Sequence, residues 1–337
     1  MDLNEFELIE RLIETVEEAR RTRPEAWGAG VHLGSGDDAA ITVPEGATVT
    51  SVDALVEGVH FRRDTAPLET VGRKAMAVAL SDLAAMGAAP GEAYVQLGIP
   101  GDLDEAGALE LSRGLAAAAV EQGVAVVGGD VTRAPVLFVA MTVVGHAEVP
   151  EAFVQRSGAR PGDVVAVTGE LGGASAGLLL LERAELGAGV PDPVAAALRD
   201  RQLVPLPRLA AGRALAGAGA TAMIDLSDGL GGDGLHLAAA SNVRLAVELE
   251  RLPLQKGVSE VAAAAAIDPY ELATSRGEDY ELLVTLPPDR AEEARRAVAA
   301  TGTQLVSIGA VAGGGGVVLR APDGTEREAI GFDQLRR

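Results

Sequence analysis

The sequence contains no cysteine and only two lysines, Lys74 and Lys256, among its 28 basic residues. The first absence excludes disulfides, zinc-thiolate sites and thiol catalysis. The second bears on phosphate chemistry. Neither lysine stands in a G-x-x-x-x-G-K-[ST] setting, so a P-loop is excluded and any phosphate handled here must be neutralised by arginine and metal. Aromatic residues make up only 3% of the chain, which leaves Ala, Val and Leu to fill the interior. Positive charge is outweighed: the formal net charge of -21 repels a nucleic-acid backbone or an anionic membrane and attracts cations. No apolar run is long enough to cross a bilayer. Met1 to Arg21 reads as an acidic amphipathic helix, with Phe6, Ile9, Leu12, Ile13 and Val16 on one face, rather than as a signal peptide. The expectation is a cytoplasmic protein that binds neither nucleic acid nor membrane.

What is present is a chain of 337 residues, too long for one ordinary domain, with 48% hydrophobic residues suited to an α/β or α+β protein. The connection from Ala147 to Gly162, rich in charge and proline, marks the expected boundary between domains 1–148 and 149–337. Acidic residues recur at the ends of apolar runs beside Gly or Ser. The first is the stretch Gly34-Ser35-Gly36-Asp37-Asp38-Ala39-Ala40, for which, taken by itself, an ordinary solvated turn is the favoured reading. Asp53 follows near the end of an alternating strand from Ala47 to Ala54. Asp82 interrupts a helix expected over Leu68 to Met86, where it needs either a salt bridge to Lys74 or a metal. Asp130 follows a buried strand, Val124 to Val127, and Gly128-Gly129, which would put it on the carboxyl edge of a sheet, where open α/β layers bind ligands.

The second half repeats the theme. Strand Asp163 to Thr168 leads through Gly169-Glu170-Leu171-Gly172-Gly173 into a helix; such a turn can hold phosphate on backbone N–H groups, although close packing is the favoured reading. An apolar strand then delivers Asp225, and Ser227 or Asp228 could cap a helix beginning near Leu230. Gly313 to Gly316 reads as a hairpin turn or a loop, since no strand-to-helix switch follows. His60 and Arg156 are each either surface residues or ligand contacts.

If the acids of the first half share a cleft, they demand cations: two unit charges about 4 Å apart repel by roughly 4 kcal/mol at an effective dielectric near 20. Every candidate ligand is an oxygen, which selects a hard ion such as Mg²⁺, and Mg²⁺ commonly completes its shell with water and substrate phosphates. With no thiol, no P-loop and no defensible Ser-His-Asp order, the reaction class is metal-assisted in-line phosphoryl transfer.

Six motifs then fall in one order: Gly36-Asp37-Asp38-Ala39-Ala40; Asp53-Ala54-Leu55-Val56-Glu57-Gly58-Val59-His60-Phe61; Leu80-Ser81-Asp82-Leu83-Ala84-Ala85-Met86-Gly87; Gly128-Gly129-Asp130; Ile224-Asp225-Leu226-Ser227-Asp228-Gly229-Leu230; and Gly277-Glu278-Asp279-Tyr280-Glu281-Leu282. Together they resemble the thiamine-monophosphate kinase family of the aminoimidazole-ribonucleotide-synthetase superfamily, across nearly the whole chain. The resemblance implies an α+β fold of two domains, each a mixed β-sheet covered by helices, with the N-terminal sheets of a homodimer pairing into a barrel. It implies ATP-dependent phosphorylation of thiamine monophosphate to thiamine diphosphate with several Mg²⁺ ions. By position it assigns Asp37, Ser51, Val52 (through its backbone oxygen), Asp53, Asp82, Asp130, Asp225 and Asp228 to the metals; Gly129, Asp130, Arg156 and Ser227 to ATP; and His60, Glu278 and Phe332 to thiamine phosphate. No covalent catalytic residue is implied. The chain departs from the family pattern at Ala79, Val131 and Arg276, none of which removes a carboxylate. A sibling ATP-using enzyme, such as a ribonucleotide cyclase, and a non-catalytic cation binder are the alternatives.

Overall fold

The computed structural model describes residues 5–23, 30–35 and 39–329. These form two compact units: one takes the chain up to Leu83 and then Ala88–Ala152, the other takes Ala84–Gly87 and the chain from Phe153 onward.

The first unit contains α1 (Glu5–Arg21), β1 (Val31–Leu33), β2 (Ile41–Thr42), β3 (Ala47–Val56), α2 (Leu68–Ala85), β4 (Ala89–Ile99), α3 (Glu105–Gln122), β5 (Ala125–Arg133) and β6 (Phe138–Ala147). Strands β1 and β2 make a small ribbon, and the main sheet runs β3-β6-β4-β5. It is mixed: β4 and β5 are parallel, the other pairs antiparallel. Side chains alternate across the sheet. Val139, Met141 and Val143 of β6 and Leu55 of β3 are buried on one face, whereas Thr48, Thr50 and Val52 of β3 are exposed on the other. The Asp104 side chain caps α3 by accepting from Gly107 N–H at 2.9 Å, and Gly123 ends the helix in the left-handed region at φ 71°. Helices α2 and α3 approach backbone to backbone. A Cβ on Gly114 would lie 1.9 Å from the Glu69 carbonyl oxygen, and one on Gly72 would lie 2.0 Å from that of Leu111.

The second unit contains β7 (Val164–Thr168), α4 (Gly173–Glu182), α5 (Asp192–Leu203), α6 (Leu209–Gly217), β8 (Ala222–Asp225), α7 (Leu230–Ser241), β9 (Arg244–Glu248), α8 (Val258–Ala265), α9 (Pro269–Thr274), β10 (Leu282–Leu286), α10 (Ala291–Ala299), β11 (Leu305–Ala312), β12 (Gly316–Arg320) and β13 (Glu326–Glu328). Its sheet runs β13-β12-β9-β11-β7-β10-β8 and is antiparallel except for the β9–β12 pair. One core joins this sheet to α7 through Val165, Val167, Ile224, Leu237, Leu245 and Leu283. A second core is built mainly from helices, with Leu179 and Leu180 of α4, Leu198 of α5, Val258 and Val261 of α8 and Leu272 of α9. Gly313–Gly316 does not form a hairpin, because β9 lies between β11 and β12; the segment carries the chain across that strand. The expected α+β class, with a mixed sheet and helices in each domain, is what the chain adopts.

Candidate functional site

In the first unit the β3 pleat puts Ser51 and Asp53 on the helix-covered face, and the Ser51 hydroxyl hydrogen-bonds the Asp82 carboxylate of α2. The Asp53 carboxylate accepts from Ala54 N–H at 2.6 Å. Val52 points the other way and is 68% exposed. Because β3 is an edge strand, alternate carbonyls along it have no ladder partner, which suits the backbone role expected near Val52.

Asp130 is placed differently from its expected position. Strand β5 does not stop at Val127 but runs through Gly128-Gly129-Asp130 to Arg133, because this stretch pairs in register with Tyr94–Ile99 of β4. Asp130 therefore sits within a strand, exposed, in the row of Gln96, Ala140 and Ala54. That is the face opposite Asp53, and three strand spacings separate the two edges, roughly 14 Å. Gly129 is irreplaceable for packing: a Cβ there would lie 2.2 Å from the Val95 carbonyl oxygen. Beside this edge opens a cavity of about 690 Å³, walled by Ile9, Leu12 and Val16 of α1, Leu111 of α3, Tyr94 and Gly128–Asp130. Its volume is that of a small-molecule site. Ser35 and Ala39, which flank Gly36-Asp37-Asp38 in the sequence, also line it. Asp37 itself, like Phe332, lies outside the described residues.

His60 lies in the turn after β3, where its Nδ1 accepts from Val56 N–H at 3.1 Å. A neutral ring so engaged carries its proton on Nε2, leaving that nitrogen as a donor.

In the second unit Asp225 ends β8 and is buried. The anticipated capping of α7 by Ser227 or Asp228 is not what forms: Gly229 occupies the cap position without a side-chain bond. Instead Asp233, from the first turn of α7, accepts from Asp228 N–H at 2.9 Å. Burial, reinforced by the Asp225 charge, pushes the Asp233 carboxyl up to about 8. Sequence reasoning passed over Asp233; an acid one turn after Asp228-Gly229 was the available signal. The Gly277–Glu281 segment docks on this turn. Glu278 N–H donates to Ser227 O at 2.8 Å, Tyr280 N–H to Leu226 O at 2.9 Å, and Leu226 N–H to Glu281 O at 2.8 Å. Glu278 and Ser227 thus belong to one backbone-bonded cluster with Asp225 and Asp228. Arg156 is exposed in the connecting segment, its carbonyl accepting from the Ser241 hydroxyl at 3.0 Å.

Asp279 closes the glycine-rich turn from inside. Fully buried, it accepts from Gly172 N–H at 2.6 Å and Ala174 N–H at 3.0 Å, and burial pushes it up to about 6 against the pull of Arg201 and these two donors. The N-terminus of α4 already holds an anion of the chain's own, so the turn is packing rather than a phosphate cradle. Glu281, wholly buried, is matched by Arg201, by Arg208 through Nε at 2.7 Å and Nη2 at 2.5 Å, and by the Thr168 hydroxyl at 2.6 Å.

Among the described residues no three acidic or histidine side chains form a ready-made metal cage. The donor chemistry nonetheless fits a hard divalent ion. Ser51 and Asp82 are in contact, and beside Asp225 burial, reinforced by the Asp225 charge, raises the Asp233 carboxyl.

Residues 36–147 match the AIR synthase related protein N-terminal domain, and residues 160–321 its C-terminal domain. The chain is 40% identical to the thiamine-monophosphate kinase of Mycobacterium tuberculosis over 283 residues, covering 83% of this chain and 80% of that protein. Its fold is similar to the crystal structure of thiamine-monophosphate kinase from Stenotrophomonas maltophilia K279a, with a TM-score of 0.82, 33% identity and coverage of 93% and 96% of the two chains. It is also similar to AaThiL complexed with AMPPCP and TMP, with a TM-score of 0.74, 34% identity and coverage of 85% and 86%. Matched in both domains and at this identity over four fifths of a curated relative, the chain belongs to the thiamine-monophosphate kinase family.

Proposed function

We propose that this chain transfers the γ-phosphoryl group of ATP to thiamine monophosphate, giving thiamine diphosphate and ADP. The observation that carries the reading is the likeness, at 34% identity over most of both chains, to AaThiL bound to AMPPCP and TMP. A phosphate oxygen of thiamine monophosphate attacks the γ-phosphorus, the bond from that phosphorus to the β,γ-bridging oxygen breaks, and ADP leaves. The acceptor oxygen is already anionic, so positioning matters more than a strong general base, and His60 orients the acceptor with its Nε2 donor. Glu278 and Phe332 take the thiamine side; Gly129, Asp130, Arg156 and Ser227 take the nucleotide. Asp37, Ser51, the Val52 carbonyl, Asp53, Asp82, Asp130, Asp225 and Asp228 would hold Mg²⁺. Bound there, the metal would supply charge neutralisation for the triphosphate.

The assembly we propose is a homodimer in which the exposed face of the β3-β6-β4-β5 sheet pairs with its copy into a barrel. Its support is the outward row Thr48, Thr50 and Val52. No described helix is long and apolar enough to cross a membrane; the site of action we propose is the cytoplasm.

Incubation with ATP, Mg²⁺ and thiamine monophosphate, followed by chromatography, tests the reaction: thiamine diphosphate should accumulate. Asp82→Asn should lower kcat by a factor on the order of 10² or more while leaving the melting temperature close to wild type. Full turnover in that variant would remove Asp82 from the metal set, and no product from wild type would overturn the proposal.

A further inference from the structure

Gln202 is used by none of the chemistry above, yet its surroundings are costly. It lies near the end of α5, is only 5% exposed, and its Nε2 donates to Oε2 of Glu278. Its own Oε1 is buried with no hydrogen-bond partner. The orientation is forced: an ionised carboxylate only accepts, so the amide must turn its NH₂ toward Glu278 and strand its oxygen. Strain on the other side of this bond points the same way. Glu278 has φ of 71° and Tyr280 φ of 50°, the left-handed region that glycine occupies freely and these residue types rarely do. Both are held there by their bonds to Ser227 and Leu226, and Gly277 is pressed so close that a Cβ would lie 1.7 Å from the Ser227 carbonyl oxygen.

An orphaned buried acceptor and two left-handed non-glycine residues within one loop work against stability, and such arrangements concentrate where a side chain must be aimed. The anchor is rigid, since Leu198 of the same helix is wholly buried in the helical core of α4, α5, α8 and α9. Left alone, a glutamate carboxylate explores several rotamers; clamped by an amide on a packed helix, it presents one.

We infer that Gln202 is a positioning residue that fixes the Glu278 carboxylate for its contact with the cationic heterocycle of the acceptor substrate. The inference rests on the proposed assignment of Glu278 to that substrate. In this role Gln202 acts through Glu278, to which its amide donates, so its loss is felt in acceptor affinity rather than in the chemical step.

The test is steady-state kinetics on the full-length chain with Gln202→Met, which keeps the length and removes the donor. KM for thiamine monophosphate should rise about tenfold, with KM for ATP and kcat within about twofold of wild type. In a Glu278→Gln background the same substitution should add little, because the carboxylate it positions is gone. Gln202→Glu supplies a second readout that does not depend on the first variant folding. At low pH the introduced carboxyl is protonated and can still donate to Glu278, so acceptor KM should stay near wild type there and climb as pH rises and two carboxylates face each other. A residue with a merely structural role would instead lower the melting temperature and kcat together, leave acceptor KM unchanged and show additivity with Glu278→Gln; that pattern overturns the inference. If Glu278→Gln raises acceptor KM while the Gln202 variants do not, the inference fails and the substrate assignment stands. If neither affects it, the assignment of Glu278 fails as well.

Discussion

The Asp233 carboxyl, pushed up to about 8 by burial and by Asp225, would release its proton near 3.8 in an unfolded chain. Between those values the folded state binds the extra proton, so in metal-free protein stability falls as pH rises through the window and levels off above it. One proton contributes a slope of at most about 1.4 kcal/mol per pH unit. Asp233→Asn keeps an oxygen for Asp228 N–H but has nothing to titrate, so urea unfolding between about pH 5 and 8 should show a flatter decline than wild type. This residue also marks the limit of the sequence. Asp53, Asp82 and Asp225 are conspicuous in the sequence because each acid stands out against an apolar run. Asp233, Asp279 and Gln202 were not, since what makes them consequential comes from elsewhere: Asp279 meets Gly172 and Ala174 more than 100 positions away, and Gln202 meets Glu278 76 positions away. Asp37 and Phe332 lie outside the described residues and stay with the reading proposed for them.

The close approach of α2 and α3 has a measurable counterpart. Gly114→Ala would drive a methyl group to 1.9 Å from the Glu69 carbonyl oxygen, inside any tolerable contact, and the helices must separate to admit it. A loss of about 1–3 kcal/mol in unfolding free energy is expected. Gly217→Ala, at the end of α6 with nothing within 4 Å of the added carbon, is the control and should be neutral or slightly stabilising. Elements that declare themselves by local period, such as α2, α3 and β3, were readable from the chain. Two others were decided by partners. β5 continues through two glycines because β4 offers a parallel ladder, and β12 leaves β11 because β9 pairs with both. α7 likewise begins at a bare glycine, its turn being secured by Asp233 instead of by a capping side chain.

At the scale of the assembly, Val52 is the informative position. It is a large apolar side chain, 68% exposed, on an edge strand whose outward face also carries Thr48 and Thr50. If two sheets pair through that face, Val52→Lys should shift the protein from dimer to monomer in sedimentation equilibrium while leaving the melting temperature of the chain nearly unchanged; an unaltered dimer would place the contact elsewhere. The family and its α+β class were legible because six motifs in fixed order span the chain, whereas the assembly was not, since a sheet face shows only which residues point outward.

The partition of residues 84–87 bears on modularity. Those four residues, distant in the chain, supply the Met86 carbonyl that receives Val154 N–H at 3.0 Å and the Ala84 carbonyl against which Gly212 of α6 is pressed. A fragment starting at Phe153 would leave both places bare: a splinter of the earlier sequence is part of the scaffold of the C-terminal half.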